Sequence, residues 1–197
     1  MTDVVLETGK SYTVASAVEW PGWTRRGKGE EAALEELLAY VPRYREVAGR
    51  GFSPGELRVI ARVGGGGAVD MGVPEAKGSW DEGPVTAQQL RVVTRCWERF
   101  DEIAASAGAE LRKGPRGGGR DRDAVVEHVR EAERAYGRAL GVKVPPRTPW
   151  AEQREQLLAQ LRAGSTGRWP TRYAVRRIAW HVLDHAWEIE DKDLSRG

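Results

Sequence analysis

The chain has 197 residues, enough for one large domain or two small ones with a substantial hydrophobic core. Its 31 basic and 29 acidic residues nearly cancel, so bulk charge does not favour nucleic acid as a partner. The sequence has no apolar run of the roughly 18 residues that span a bilayer, and its N-terminus lacks the basic-then-apolar order of a signal peptide. With one cysteine it forms no intrachain disulfide. We therefore predict a cytoplasmic protein that engages neither membrane nor nucleic acid.

Residues 1–70 are predicted to form a small α+β domain. The alternation in SYTVASAVEW indicates a strand, which ends at the turn signal Pro21-Gly22. The segment EEAALEELLAYV has apolar residues at helical spacing, and ELRVIARVG returns to strand character before a run of glycines. The predicted order is therefore β-α-β. Residues 71–84 are rich in glycine and proline, and we interpret them as a linker.

From residue 85 onward the sequence shows helical patterns and no convincing strand. The four predicted helices cover approximately 85–107, 122–140, 148–164 and 169–190. Thr148 is the expected N-cap of the third helix, with Pro149 at its first position. Four such helices with polar connections indicate an antiparallel bundle over 85–191, followed by a tail at 192–197. The whole chain is accordingly predicted to be an α+β protein.

The connection LRKGPRGGGRDR, residues 111–122, is glycine-rich and basic. We interpret it as a flexible loop between helices, because glycine-rich polar tracts commonly act as linkers. The alternative is a basic arm that binds phosphate or RNA.

The three histidines of the chain are placed where they could share one site. His181 and His185 are four residues apart on the last predicted helix, so both imidazoles lie on one face and can converge on one ion. His128 lies at the margin of the core face of the second helix. We interpret the three as ligands of one metal ion, in preference to satisfied core histidines. Three imidazoles leave coordination positions open, as in a catalytic site; zinc is the favoured ion, and nickel, manganese and iron also accept imidazole.

Two stretches of these helices, VVEHVREAERAYGRALG and RWPTRYAVRRIAWHVLDHAWEIED, resemble the DinB-like superfamily over roughly residues 84–191. That family is an up-down-down-up four-helix bundle with one metal-binding histidine on the second helix and an H-x3-H pair on the last. The resemblance implies a metal triad of His128, His181 and His185. It also implies a range of activities, since the family includes thiol transferases that use mycothiol or bacillithiol, a maleylpyruvate isomerase, and members with no known activity.

The N-terminal stretch AVEWPGWTRRGKGEEAALEELLAY is similar to the HicB-like fold, in which a strand ends at a proline–glycine turn before an acidic helix. This resemblance rests on scaffold residues, so it implies a small α+β domain and not an antitoxin. The abundance of alanine, arginine and glycine suggests a high-GC, actinobacterial source, for which mycothiol is the expected thiol.

Together these features predict a metal-dependent enzyme acting on a small molecule, by thiol-dependent group transfer or isomerisation. The ion would activate a thiol, a water or a carbonyl. Glu188 and Glu131 are the carboxylates nearest the triad by helical phase, and either could orient an imidazole or act as a base; the alternative is that both are solvated surface acids. Two other functional classes stay open: a non-catalytic metal-binding stress-response protein, and a nucleic-acid or protein interaction module.

The last helix carries a second hydrophobic face opposite its core face. Its members recur at helical spacing: Tyr173, Arg176, Trp180, Leu183 and Trp187. We expect this face to pack on the N-terminal domain, on the first helix of the bundle or on another subunit, because tryptophans are rarely left in water. The family resemblance favours a homodimer. Three further tryptophans, Trp20, Trp23 and Trp80, are expected to pack in the interior in preference to lining a pocket.

Overall fold

Seven helices and a four-stranded mixed sheet make up the chain, which a computed structural model describes over residues 1–115 and 117–196. The α+β class predicted from the sequence is confirmed. Arg116, part of the alternative basic arm, and Gly197, the end of the predicted tail, lie outside the described residues.

The sheet consists of β1 (Thr2–Thr8), β2 (Thr13–Ala17), β3 (Thr24–Gly27) and β4 (Leu57–Gly64), in the order β3-β2-β1-β4. β1 pairs antiparallel with β2 and parallel with β4. The predicted β-α-β order therefore missed β1 and β3. β1 is a central strand buried on both faces, so its apolar residues do not alternate with polar ones. β3 has the sequence TRRG, and its two arginines and glycine lack the apolar alternation that indicates a strand.

Helices α1 (Gly29–Ala39) and α2 (Val41–Ala48) separate β3 from β4. The ring of Trp23 stacks on Tyr44 at 5.7 Å and meets Phe52 edge-on at 5.1 Å. The indole N–H of Trp23 donates to the carbonyl of Leu37 at 2.8 Å. Trp20 packs edge-on against the same Phe52 at 4.8 Å. The predicted interior packing is thus what the structure shows for Trp23, which is fully buried, whereas Trp20 is half-buried and also lines a cleft.

The segment predicted as a linker is fixed by buried and partly buried carboxylates. It follows the short helix α3 (Gly67–Asp70) and contains a 3-10 turn at Ser79–Asp81. Glu7 of β1 accepts backbone N–H bonds from Glu75 and Ala76 at 2.8 and 2.9 Å. These bonds satisfy backbone groups that would otherwise be left without partners next to the sheet.

The four helices predicted beyond residue 85 are α4 (Ala87–Ser106), α5 (Arg122–Leu140), α6 (Trp150–Ala163) and α7 (Thr171–Lys192). Thr86 caps α4, since its hydroxyl accepts from the N–H of Gln89 at 3.1 Å. Gly141 ends α5 in the left-handed conformation, at φ 98°. Thr148 does not cap α6 as expected. Pro149 takes that position instead because its ψ of 142° is extended, and its carbonyl accepts the N–H of Gln153.

Helices α5 and α6 run in the same direction, which differs from the antiparallel order expected for neighbours. Gln153 donates to the carbonyl of Arg130 at 2.9 Å, and Leu157 lies against Gly137 further along both helices. At about 3.3–3.6 Å per extended residue, the connection 141–149 is long enough to return along α6, which is roughly 21 Å long. A long connection of this kind permits parallel neighbours.

Helices α4 and α7 also run in the same direction. Arg99 of α4 forms a salt bridge with Glu190 of α7, and the N–H of Gly108, just beyond α4, donates to Asp193, just beyond α7. The four helices therefore run up, down, down and up. Among the described residues, no helix is both long and apolar enough to cross a bilayer.

The second face of α7 is buried, as predicted, and packs on the N-terminal half of the chain. All five of its residues are at most 8 % exposed. Trp187 contacts Tyr40 with ring centroids 5.0 Å apart, and Leu183 lies against Gly22. Trp80, at the edge of this region, is half-buried. Because the contacts lie within one chain, the homodimer stays a prediction.

Candidate metal centre

The structure brings the three predicted histidines together between α5 and α7. Nε2 of His181 lies 3.2 Å from Nε2 of His128. The ring of His185 is centred 4.6 Å from that of His181 and 4.8 Å from that of His128. One nitrogen of each residue lies within 4.8 Å of the others, so the three could hold one metal ion.

The three histidine side chains lie at the margin of the core, as their helical phase predicts. Val125 and Val129 of α5 and Val182 of α7 are fully buried. His181 is 6 % exposed, whereas His128 and His185 are half-buried. The triad is therefore anchored by the core on one side and accessible from solvent on the other.

The spacing of His128 and His181 fits a tetrahedral divalent ion, and the donor nitrogens of all three histidines lie within 4.8 Å of one another. Two nitrogens bound to one zinc at about 2.0–2.1 Å with a tetrahedral angle are about 3.3–3.4 Å apart, close to the 3.2 Å between His128 and His181. Nδ1 of His181 is buried and has no hydrogen-bond partner in the part of the chain that the structure describes. An ion bound at Nε2 would not satisfy this Nδ1, so it is the spacing of the donor nitrogens that favours the metal-ligand interpretation.

The surroundings of His181 and His128 lower their pKa and so favour the neutral imidazole. Burial, followed by the neighbouring charge of His185, holds the pKa of His181 well below its ordinary value. The pKa of His128 is lowered for the same two reasons in the same order. Imidazole must be deprotonated to bind a metal, so these shifts keep both rings in the binding form near neutral pH.

Glu188 supports the triad through His185. Its Oε2 lies 2.7 Å from Nδ1 of His185, and its Oε1 accepts from Nζ of Lys192 at 2.6 Å. The hydrogen bond with His185 lowers the pKa of the Glu188 carboxyl to about 2. A carboxylate at Nδ1 fixes the tautomer and leaves Nε2 free to bind an ion. Of the two roles predicted for Glu188, the geometry favours orienting the imidazole, because so acidic a carboxyl is a weak base.

Glu131 has a different environment. It is exposed on α5, one turn beyond His128, and makes no hydrogen bond or salt bridge within the described ranges. Its negative charge acts on His128 only as a minor influence that raises the pKa. This placement fits the alternative of a solvated surface acid, and a catalytic role for Glu131 stays a prediction.

Two residues beside the triad were not singled out as functional from the sequence. The ring of Tyr136 lies edge-on to His181 at 5.5 Å, and the guanidinium of Arg177 is 5.8 Å from the centre of the Tyr136 ring. From the sequence, Tyr136 is expected to be an ordinary core residue of α5. Arg177, however, precedes His181 by four residues, so extending the H-x3-H spacing one turn back identifies it.

A sizeable cleft in the described part of the chain lies elsewhere. It has a volume of about 770 Å³, and Trp20, Arg91, Arg95 and Arg162 are among its lining residues. No histidine is among its lining residues, so the triad between α5 and α7 lies outside this cleft.

Comparison of the chain with protein-family models, with curated proteins and with solved structures gave no match. The geometry of the triad is therefore the observation on which a functional proposal rests.

Proposed function

We propose that the protein is a metal-dependent enzyme of the DinB-like type, which acts on a small molecule by group transfer or isomerisation with a thiol such as mycothiol as cosubstrate. The observation that carries the proposal is the convergence of His128, His181 and His185 on one point. A divalent ion held there, with zinc favoured, would supply Lewis acidity that lowers the pKa of a bound thiol or water or polarises a carbonyl.

The histidines of this chain would do the binding and Glu188 the orienting. His181 is held rigidly by the core, and His128 approaches it from the opposite helix. Glu188 directs the Nε2 of His185 toward the same point. Within the described residues no fourth histidine, cysteine or carboxylate joins the group, which leaves room for a substrate, as catalytic sites require.

Two further features support the DinB-like type. The helices run up, down, down and up, and the triad lies on the second and fourth of them, which is the arrangement that the family resemblance implies. The solvent-accessible side of His128 and His185 gives a small molecule a route to the centre.

The decisive experiment is elemental analysis of the purified wild type beside His181→Ala. We expect about one divalent ion per chain in the wild type and none in the variant. Asp184→Ala is the matched control, because Asp184 lies between the two histidines in sequence but pairs with Arg25. A wild type that takes up no zinc, nickel or manganese after reconstitution would overturn the proposal.

A non-catalytic metal-binding protein is the second candidate. The triad bridges α5 and α7, so an ion there would cross-link two helices and stabilise the bundle. The two candidates differ in what the ion does. An enzyme would bind metal and turn over electrophilic substrates with a thiol, whereas a structural site would raise the thermal stability with no turnover.

A further inference from the structure

Arg177 is held in a fixed orientation one helical turn from the triad. It precedes His181 by four residues on α7, so both side chains lie on the same face. Its Nη1 donates to the carbonyl of Pro74 at 2.8 Å, and its guanidinium lies 4.8 Å from the centre of the Trp180 ring. These contacts fix the side chain without neutralising its charge.

Arg177 has no acidic partner in the described residues. No carboxylate lies within salt-bridge distance of it, and its buried Nε donates no hydrogen bond. Its neighbours on the same helix differ: Arg176 pairs with Asp81, and Arg172 pairs with Glu19. A partly buried cation without a counter-ion is costly, so an anion from outside the chain would relieve that cost.

An aromatic ring on α5 lies close to both Arg177 and the triad. Tyr136 on α5 lies 5.5 Å from the ring of His181 and 5.8 Å from the guanidinium of Arg177. The rise of about 1.5 Å per residue along α7 separates the backbones of Arg177 and His181 by about 6 Å. This separation is short enough for the two ends of a small molecule to span it.

The charges around the triad also favour an anion. Glu188, the nearest carboxylate, is already engaged by His185 and Lys192. Arg120, which precedes α5, adds a second positive charge that acts on His128. A divalent ion would increase this excess of positive charge further.

We propose that the substrate of the candidate metal centre is a small carboxylate. Its anionic group binds to Arg177, and a second donor group, a few carbon–carbon bonds away, meets the three histidines. The planar guanidinium matches a carboxylate in shape and can donate two parallel hydrogen bonds to it. This inference rests on the proposed function, and it assigns to Arg177 the recognition of the substrate.

The test uses the full chain loaded with cobalt(II) and two probes of equal length, 3-mercaptopropionate and 3-mercaptopropan-1-ol. Both offer sulfur to the metal, and they differ in carrying a carboxylate or a neutral hydroxyl. Sulfur-to-cobalt absorption measures binding, while the visible cobalt bands report that the ion stays in place. We expect the wild type to bind the carboxylate probe about tenfold more tightly.

Arg177→Met should abolish this preference and leave cobalt binding unchanged, since methionine keeps the apolar packing and removes the charge. Arg138→Met, an exposed position on α5, should keep the preference. Equal affinity of the wild type for the two probes, or a preference that persists in Arg177→Met, would overturn the inference and leave the metal centre standing. A protein without the cobalt spectrum would overturn the proposed function and this inference with it. If Arg177→Met fails to fold, the relative affinity of the wild type for the two probes still tests the inference.

Discussion

Oε2 of Glu188 lies 2.7 Å from Nδ1 of His185, three residues earlier on α7. This pair links a carboxylate outside the group of possible metal ligands to a ring within it. The same hydrogen bond holds the pKa of the Glu188 carboxyl at about 2, so the residue is a permanent acceptor and not a proton carrier near neutral pH.

The first prediction concerns Glu188→Gln. The amide is a weaker acceptor and loses the charge that stabilises the Nδ1–H tautomer of His185, so metal affinity should fall by about 10–100-fold. Competition with a chromophoric chelator measures the change. Glu131→Gln is the control and should leave the affinity within about twofold of wild type, because Glu131 makes no hydrogen bond to a histidine among the described residues. Equal losses in both variants would argue against the orienting role.

The sequence predicted the helices well because their signals are local. Apolar spacing marks each helix of the bundle and Gly141 marks an end, although the cap expected at Thr148 is at Pro149 instead. The strands were harder. β1 is covered on one face by helices and on the other by residues 71–84, the predicted linker, called the connector below, so no local alternation distinguishes it. The direction of α6 depends on the path of the connection 141–149, which helical spacing does not encode.

The site was predicted in part for the same reason. The spacing of His181 and His185 is local, and the phase of His128 on its own helix is local too. The contact between Tyr136 and His181 depends on how α5 crosses α7, and it could not be read from either helix alone. The bond of Arg177 to Pro74 joins residues 103 positions apart, and nothing in the sequence near either residue indicates it.

The second prediction tests the close packing of α7 on the N-terminal half. Gly22 has φ +87°, and an added Cβ would lie 2.8 Å from Cδ1 of Leu183 and 3.1 Å from the backbone of Ala179. Gly22→Ala should therefore lower the free energy of unfolding by about 3 kcal/mol, from backbone strain and overpacking together. Chemical denaturation of the metal-free protein measures it.

Gly29→Ala separates the two causes of that loss. Gly29 has a similar φ of +85° but no atom within 4 Å of an added Cβ, so only the strain of about 1 kcal/mol applies. If the two variants lost equal stability, the packing of Leu183 against Gly22 would contribute nothing.

The third prediction concerns the buried ion pair that joins the connector to α7. Nη2 of Arg176 donates to Oδ1 of Asp81 at 2.7 Å, and the two residues are 8 % and 3 % exposed. Asp81→Ala would leave the guanidinium buried without its partner and should cost about 3–5 kcal/mol of unfolding free energy. The double variant Asp81→Ala with Arg176→Met should recover part of that loss, because no charge then stays buried.

An exposed ion pair provides the comparison for this variant. Arg62 and Glu30 interact at 2.9 Å with side chains 60 % and 42 % exposed. Arg62→Ala should cost no more than about 1 kcal/mol. A loss of this small size for Asp81→Ala as well would show that the connector is not anchored through Arg176.

The fourth prediction is a pH dependence that originates at Glu7. This carboxylate is 4 % exposed, and burial raises its pKa even though it accepts two backbone N–H bonds from the connector. A carboxyl whose pKa is higher in the folded than in the unfolded protein holds its proton longer when folded. The folded state therefore loses stability relative to the unfolded state as the pH rises through the unfolded value of 4.5 and toward the raised one.

Glu7→Gln removes this titration and keeps an oxygen that can accept both N–H bonds. The stability of the wild type minus that of Glu7→Gln should fall as the pH rises from 4 and become constant once the folded carboxyl has ionised. Guanidinium denaturation of both proteins at intervals between pH 4 and 7 gives the difference directly, since titrations elsewhere in the chain cancel. A flat difference would mean that the two N–H bonds balance burial, and one that grows with pH would mean that they outweigh it and that the charged form of Glu7 anchors the connector.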